Sequence, residues 1–426
     1  MNIEDRYNQA LNYVESLGSS KSILGLDRIR KVLSLFDNPQ EKLNIVHIAG
    51  TNGKGSTTSM LSHIYKQAGY RVGSFISPSV VEFRERIQYN CNFIEKDIFA
   101  DIVEAVKNKL EENKCEITHF ELITVVAFIY YYIKKCDIVF LEVGLGGRLD
   151  ATNVITKPFV SVITQIGYDH IDILGKDLKS ITSEKCGIIK PNGNVVLYPL
   201  QDQETFEIVS QKCKENNSKL YIPDISQLEI YNNDVFKQKI KYKDNEYIIG
   251  LNGKYQIYNT LTVLTVVEIL NKLGMTCKYS DIYEGIKNTK FAGRFEVVAN
   301  KPLVILDGAH NKSGIEAFID NVKNIKNDKK VAIVSILKDK DIDEMIKIFA
   351  THFNNIIIVP INTKRGADIE KMKQQVTRYN VNVECIQDYI QAISKAKKYS
   401  SEDGLIYIFG SLYLISQIRK IIYNNE

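Results

Sequence analysis

From about residue 43 onward one pattern recurs in the chain: a short run rich in Val and Ile, a loop carrying Gly, Asp or Ser, then a stretch with the apolar spacing of a helix. Strands that alternate with helices argue for a parallel sheet covered on both faces. Residues 43–48 form the first such run, and 72–76, 137–141 and 159–164 follow. After the first, Met60, Leu61, Ile64, Tyr65 and Ala68 share one helical face, and Gly69 is a natural stop. Ile98, Ile102, Val106 and Leu110 mark a further amphipathic helix.

The pattern lapses between about 220 and 255, where residues 239–242 and 246–249 flank Lys243-Asp244-Asn245 and predict a small antiparallel hairpin. It resumes at 303–306, 331–336, 356–359 and 405–409. The expected fold class is therefore α/β. A P-loop-type parallel-sheet domain with a small antiparallel element is expected over 1–296, and a smaller Rossmann-like α/β domain over 297–426. A chain of 426 residues can give each its own core.

Composition narrows the function classes. A net charge of +4 from 55 basic and 51 acidic residues makes no case for nucleic acid or a membrane surface, and is compatible with an anionic substrate. Seven cysteines without a CxxC pair, and no secretory leader, predict reduced thiols in a cytoplasmic protein. The most apolar stretch, residues 122–133 between Glu121 and Lys134-Lys135, is too short to cross a bilayer and predicts a buried helix.

In open parallel sheets ligands bind beyond the carboxyl ends of the strands, and the conspicuous polar residues fall there. The first strand ends in Ala49-Gly50-Thr51-Asn52-Gly53-Lys54-Gly55-Ser56, the second at Ser77-Pro78, the third at Glu142 and the fourth near Asp169-His170. The later strands end at Asp307-Gly308-Ala309-His310-Asn311, Lys338-Asp339 and Gly410-Ser411. A glycine-rich loop opening a helix can cradle phosphates on its amides, with Lys54 on the β/γ oxygens and Ser56 reaching a magnesium. The strict P-loop spacing fails, because Gly55 separates Lys54 from Ser56 and Ile48 stands where a glycine belongs. A Gly-rich turn of an ordinary α/β fold is the alternative.

The loop resembles the ATP loop of the Mur ligase superfamily, and more narrowly that of the folylpolyglutamate synthase and dihydrofolate synthase family. Further blocks carry the same resemblance in family order: Leu24-Gly25-Leu26-Asp27-Arg28-Ile29, Phe83-Arg84-Glu85-Arg86-Ile87, Thr118-His119-Phe120-Glu121, the run from Glu142 through Gly144-Leu145-Gly146-Gly147-Arg148-Leu149-Asp150-Ala151 to Asn153, Glu184-Lys185, Gly293-Arg294-Phe295 and Asp307 to Asn311. Ser79, Ala292 and Cys186 depart from the family's usual residues without removing a charged group.

The resemblance implies an ATP-dependent ligase that adds L-glutamate to folates, and a Leu149-Asp150-Ala151 triplet like that of members accepting dihydropteroate too. It implies that Asn52, Gly53, Lys54, Gly55, Ser56, Asn259, Arg294 and Asp307 bind the nucleotide and that Ser77, Glu142 and His170 hold magnesium. Lys185 resembles a lysine carbamylated in the family, which could bind a second magnesium; an unmodified lysine on phosphate is the alternative. Leu24, Gly25, Leu26, Thr118, Phe120, Glu121, Leu149, Asp150 and Ala151 resemble the pterin-side pocket, and His310 and Ser411 the neighbours of the incoming glutamate. Lys54, Lys185 and His310 are the expected catalytic residues. Taken alone, Glu142 could be a surface acid and His170 a structural histidine, as His47 and His63 are expected to be. A monomer acting on small molecules is expected. The rivals are another ligase of the superfamily, acting on a cell-wall precursor, and a non-ligating P-loop kinase or ATPase. Catalysis is expected to need both domains, since Lys54 and Glu142 lie in one and Asp307 and His310 in the other.

Overall fold

A computed structural model describes residues 2–18, 25–232, 234–379 and 382–424. The chain forms two compact units: Met1–Ile166 with His170–Ser226 and Tyr258–Thr289, and Gly167–Asp169 with Gln227–Ile257 and Lys290–Glu426.

The first unit is built on eight strands: β1 (Ile45–Ala49), β2 (Val72–Phe75), β3 (Ile87–Tyr89), β4 (Asn92–Phe93), β5 (Ile138–Glu142), β6 (Val160–Ile163), β7 (Asn194–Leu197) and β8 (Lys219–Tyr221). Their order is β4-β3-β2-β5-β1-β6-β7-β8. From β2 to β8 the pairs are parallel, and β3 and β4 extend one edge antiparallel. β1 and β5 are buried along their whole length, as strands covered on both faces must be, and so both read as unbroken apolar runs. Strand order reverses beside β1, which lies between β5 and β6, and this makes the carboxyl end of β1 the switch point where such sheets bind ligands.

The apolar stretch after Glu121 is a helix, His119–Ile133, that starts on a capping box: Thr118 accepts from the Glu121 amide and Glu121 accepts from the Thr118 amide. Leu122, Val125, Val126 and Phe128 join a core with Phe99, Val103, Val106 and Leu110 of the Lys96–Glu112 helix. Among the described residues no helix is long and apolar enough to cross a membrane. All seven cysteines are free thiols.

The second unit has two sheets. The expected hairpin is present as β10 (Lys239–Tyr242) and β11 (Asn245–Ile248), turning through Lys243 at φ 56°, with β9 (Leu228–Ile230) added on the other side. The larger sheet holds β12 (Glu296–Asn300), β13 (Leu303–Asp307), β14 (Lys330–Val334), β15 (Asn355–Ile358), β16 (Asn382–Cys385) and β17 (Leu405–Phe409), ordered β12-β13-β17-β14-β15-β16. All but β12 are parallel. An aromatic cluster fills its core, with Phe409 4.6 Å from Phe318 and 5.2 Å from Phe349 between ring centroids.

One helix contact in the first unit has a sharp consequence. The Tyr279–Lys287 helix packs on the Lys54–Gln67 helix, and a Cβ at Gly285 would lie 2.5 Å from the Ile64 Cα. Gly to Ala inside a helix ordinarily stabilises by about 0.5–1 kcal/mol. Here backbone must move, so Gly285→Ala is expected to destabilise by about 1–3 kcal/mol, read as a lower midpoint in urea. An unchanged or raised midpoint would contradict this packing.

Candidate active site

β1 delivers the glycine-rich loop, and the Lys54–Gln67 helix follows without a side-chain cap at Gly53. The loop is fastened to the end of β6: the Thr51 and Asn52 amides donate to the Gln165 carbonyl at 2.8 and 3.1 Å, and the Asn52 side chain donates to Oε1 of Gln165 at 2.9 Å. Gly53 is at φ +87°, and a Cβ there would lie 2.6 Å from Oδ1 of the buried Asn259. Only glycine suits that position. The first amides of a helix have no intrahelical acceptor, so this end is arranged to receive an anion.

Two lysines meet at the loop. Lys54 Nζ donates to the carbonyls of Gly50 and Thr51, both at 3.2 Å, and Lys185 Nζ donates to the same Gly50 carbonyl at 2.8 Å. Lys54 also lies 3.9 Å from Oε1 of buried Glu142, whose Oε2 accepts from the Ser77 amide at 3.3 Å. Lys185 is buried in the last turn of the Leu178–Cys186 helix, which Asp177 caps. That turn is tied to the long glycine-rich loop after β5. Arg148 N donates to Glu184 O at 2.8 Å, the Arg148 side chain pairs with Glu184, and Asn153 donates to the carbonyls of Arg148 and Gly187.

Of the three expected metal ligands, Ser77 and Glu142 are in contact. His170 stands exposed at φ 51°, opening the short turn Ile171–Leu174. Among the described residues no three His, Cys, Asp or Glu side chains group as a metal site. The Glu142 carboxylate and the Ser77 hydroxyl are oxygen donors of the kind magnesium takes while keeping several waters of its own.

Leu24 lies outside the described residues. Leu26 precedes the Asp27–Ser34 helix, and Arg28 of that helix pairs with buried Glu121 at 3.1 Å. Phe120 lies over the glycine-rich loop, since a Cβ at Gly144 would meet its ring at 2.4 Å. Phe120 is thereby brought to the 144–151 loop, while Thr118 and Glu121 bond to each other at the start of the helix. Asp150 spends its carboxylate on that loop's own amides, Leu145 N at 2.8 Å and Thr152 N at 3.0 Å. Burial pushes its pKa up, against the pull of those hydrogen bonds. Leu149 is half-buried and Ala151 buried beside it. His47 bonds Thr152 Oγ1 at 2.8 Å, and burial and the charge of Lys190 lower its pKa to about 3. His63 bonds the Ser59 carbonyl at 2.8 Å. Both are structural, as expected.

In the second unit, buried Asp307 ends β13 and accepts from the amides of Ala309 and Phe295 and from the Tyr255 hydroxyl. Burial raises its pKa, and the nearby Arg294 guanidinium opposes that rise. His310 Nδ1 donates to the Gly308 carbonyl at 2.7 Å, and its Nε2 faces Asp169 across 3.5 Å. Ser411 is buried after β17, its hydroxyl accepting from the Tyr413 amide at 3.2 Å. Two residues that sequence reasoning left without a role stand out: Arg28, inside a quoted motif, and Lys340, one position past Lys338-Asp339. Lys340 pairs with Asp169 while only 6% exposed, whereas Asp339 pairs with Arg365 at 2.7 Å.

Comparison with known proteins agrees with this geometry. Residues 48–267 match the Mur ligase middle domain, and residues 293–412 match the Mur ligase, glutamate ligase domain. The dihydrofolate synthase/folylpolyglutamate synthase of Bacillus subtilis is 33% identical over 411 residues, spanning 93% of this chain and 94% of that protein. A crystal structure of folylpolyglutamate synthase from Thermotoga maritima superposes with a TM-score of 0.84 at 30% identity, covering 100% of this chain and 98% of the other. A structure of Escherichia coli FolC in complex with DHPP and ADP gives a TM-score of 0.86 at 27% identity, with 98% of each chain covered.

Proposed function

The chain belongs to the folylpolyglutamate synthase/dihydrofolate synthase family of Mur ligases, which are ATP-dependent amide ligases, and on that premise we propose that it joins L-glutamate to folates and to dihydropteroate through an acyl phosphate. The observation that carries this reading is the meeting of Lys54 and Lys185 at the Gly50 carbonyl, beside Glu142, at the carboxyl end of β1.

A carboxylate is a poor acyl donor, because its leaving group would be oxide. Transfer of the γ-phosphoryl group of ATP to that carboxylate releases ADP and makes phosphate the leaving group. The glutamate amine then attacks the acyl carbon, the C–O bond to phosphate breaks, and the amide remains. Two anions must be brought together for the first step, so fixed positive charge at the phosphates is what the protein supplies. Lys54 and the amides of Gly53, Gly55 and Ser56 hold the phosphates in this reading. Asn52, Asn259, Arg294 and Asp307 bind the nucleotide, and His310 and Ser411 receive glutamate. Leu24, Gly25, Leu26, Thr118, Phe120, Glu121, Leu149, Asp150 and Ala151 take the pterin side. Ser77, Glu142 and His170 would hold magnesium, which when bound neutralises phosphoryl oxygens. The protein acts as a cytoplasmic monomer in this account.

The test is release of ADP by the full-length protein with ATP, magnesium and L-glutamate, comparing dihydropteroate with tetrahydrofolate as acceptor. Release that requires both glutamate and an acceptor is expected. Equal release without glutamate would contradict ligation. In the same assay Lys54→Ala is expected to lose about 3 kcal/mol of transition-state stabilisation, and near-normal turnover at saturating ATP would remove Lys54 from its role.

Carbamylation of Lys185 is part of the same reading. Its ammonium is buried and shares an acceptor with Lys54, so loss of one proton to free the amine, addition of carbon dioxide and loss of a second proton would turn a like-charge contact into an attractive one and offer oxygen to a second magnesium. Lys185→Ala should then recover activity with added small carboxylates, and wild-type turnover should fall in carbon-dioxide-free buffer. Neither effect would be seen with an unmodified lysine.

A further inference from the structure

Asp169 belongs by sequence to the loop after β6, yet the segment Gly167–Asp169 packs with the second unit. Its neighbours Tyr168 and His170 are exposed, while its own side chain is 9% exposed. Three side chains from two loops converge on that one carboxylate. His310 Nε2 lies 3.5 Å from Oδ2, Asn311 Nδ2 donates to Oδ2 at 3.0 Å, and Lys340 Nζ pairs with Oδ1. His310 and Asn311 follow β13, Lys340 follows β14, and both loops stand at carboxyl ends of parallel strands, where such sheets place their ligands.

Each partner has its orientation completed by Asp169. The other ring nitrogen of His310 is held by the Gly308 carbonyl at 2.7 Å, so the imidazole is fixed at two points. Asn311 Oδ1 accepts from the Gly314 amide at 2.8 Å and caps the Lys312–Asn324 helix, which turns its amide nitrogen towards Asp169. The Lys340 ammonium is almost wholly withdrawn from water, and a buried cation is tolerated only beside an anion.

We propose that Asp169 is a positioning residue for the amino-acid half of the reaction: it holds the His310 imidazole, the Asn311 amide and the Lys340 ammonium in one arrangement at the strand ends. The proposal rests on the function given above, which makes His310 a neighbour of the incoming glutamate. Asp169 touches no reacting atom; it acts through His310.

The experiment uses the full-length protein, its Asp169→Asn and Asp169→Glu variants, and the double variant Asp169→Asn/Lys340→Met, which keeps the buried charge balanced if the single neutralisation does not fold. Two readouts are taken. The first, without substrate, is the ring nitrogen resonances of His310, identified by their loss in His310→Gln. The second is the separate KM for glutamate and for ATP. Asp169→Asn is expected to shift the His310 resonances and raise the KM for glutamate about tenfold or more, with the KM for ATP within about twofold. Asp169→Glu is expected to restore part of the loss. Unmoved His310 resonances, an unchanged KM for glutamate, or both KM values rising in step would overturn the proposal. Absence of glutamate-dependent ADP release in the wild-type protein would instead overturn the parent reading, and the His310 resonances would still decide whether Asp169 positions that ring.

Discussion

Two ammonium groups donate to one carbonyl oxygen, that of Gly50, and the rest of the first unit is arranged to make this contact hold. Glu142 lies beside Lys54. Two lysines thus stand at the carboxyl end of β1, where the sheet order reverses, and in the proposed function they meet the polyphosphate. A kinase needs that much. A ligase also needs a place for an amine, which the proposed function gives to His310 and Ser411 at strand ends of the second unit.

A set of contacts fixes the helix turn that carries Lys185. The Glu184 carbonyl, the Arg148 amide and the Asn153 side chain tie the end of its helix to the loop after β5. The same loop is closed on itself by Asp150 and covered by Phe120. One stretch of chain thus joins the lysine to the pocket assigned to the pterin. This explains why the longest recognisable motif of the sequence, from Glu142 to Asn153, contains so few residues free to do chemistry: most of them make the loop.

The central strands were legible because burial on both faces demands unbroken Val and Ile, as in residues 45–49 and 405–409. β3, β4 and β16 were not, since they are short strands at or next to sheet edges with mixed polarity, such as Asn382–Cys385. The nucleotide-side residues were legible for a local reason, because a strand, a glycine turn and a helix in succession create an anion site without help from elsewhere. The environment of Asp169 was not. Its chain neighbour His170 suggested a local pair, whereas its carboxylate faces His310, Asn311 and Lys340, more than a hundred positions away in sequence. Nothing periodic announces such a contact. Arg28 and Lys340 escaped for the same reason: a single cation in a motif takes on a role only once its buried partner is known.

The claim at the centre of this account is that the acceptor carboxylate is activated by phosphoryl transfer and then surrendered to an amine. Oxygen bookkeeping tests it directly. With a folate acceptor carrying ¹⁸O in its terminal carboxylate, one labelled oxygen is expected to leave with inorganic phosphate for each amide formed, because that oxygen bridges carbon and phosphorus in the acyl phosphate. Amide formation with unlabelled phosphate would contradict the account.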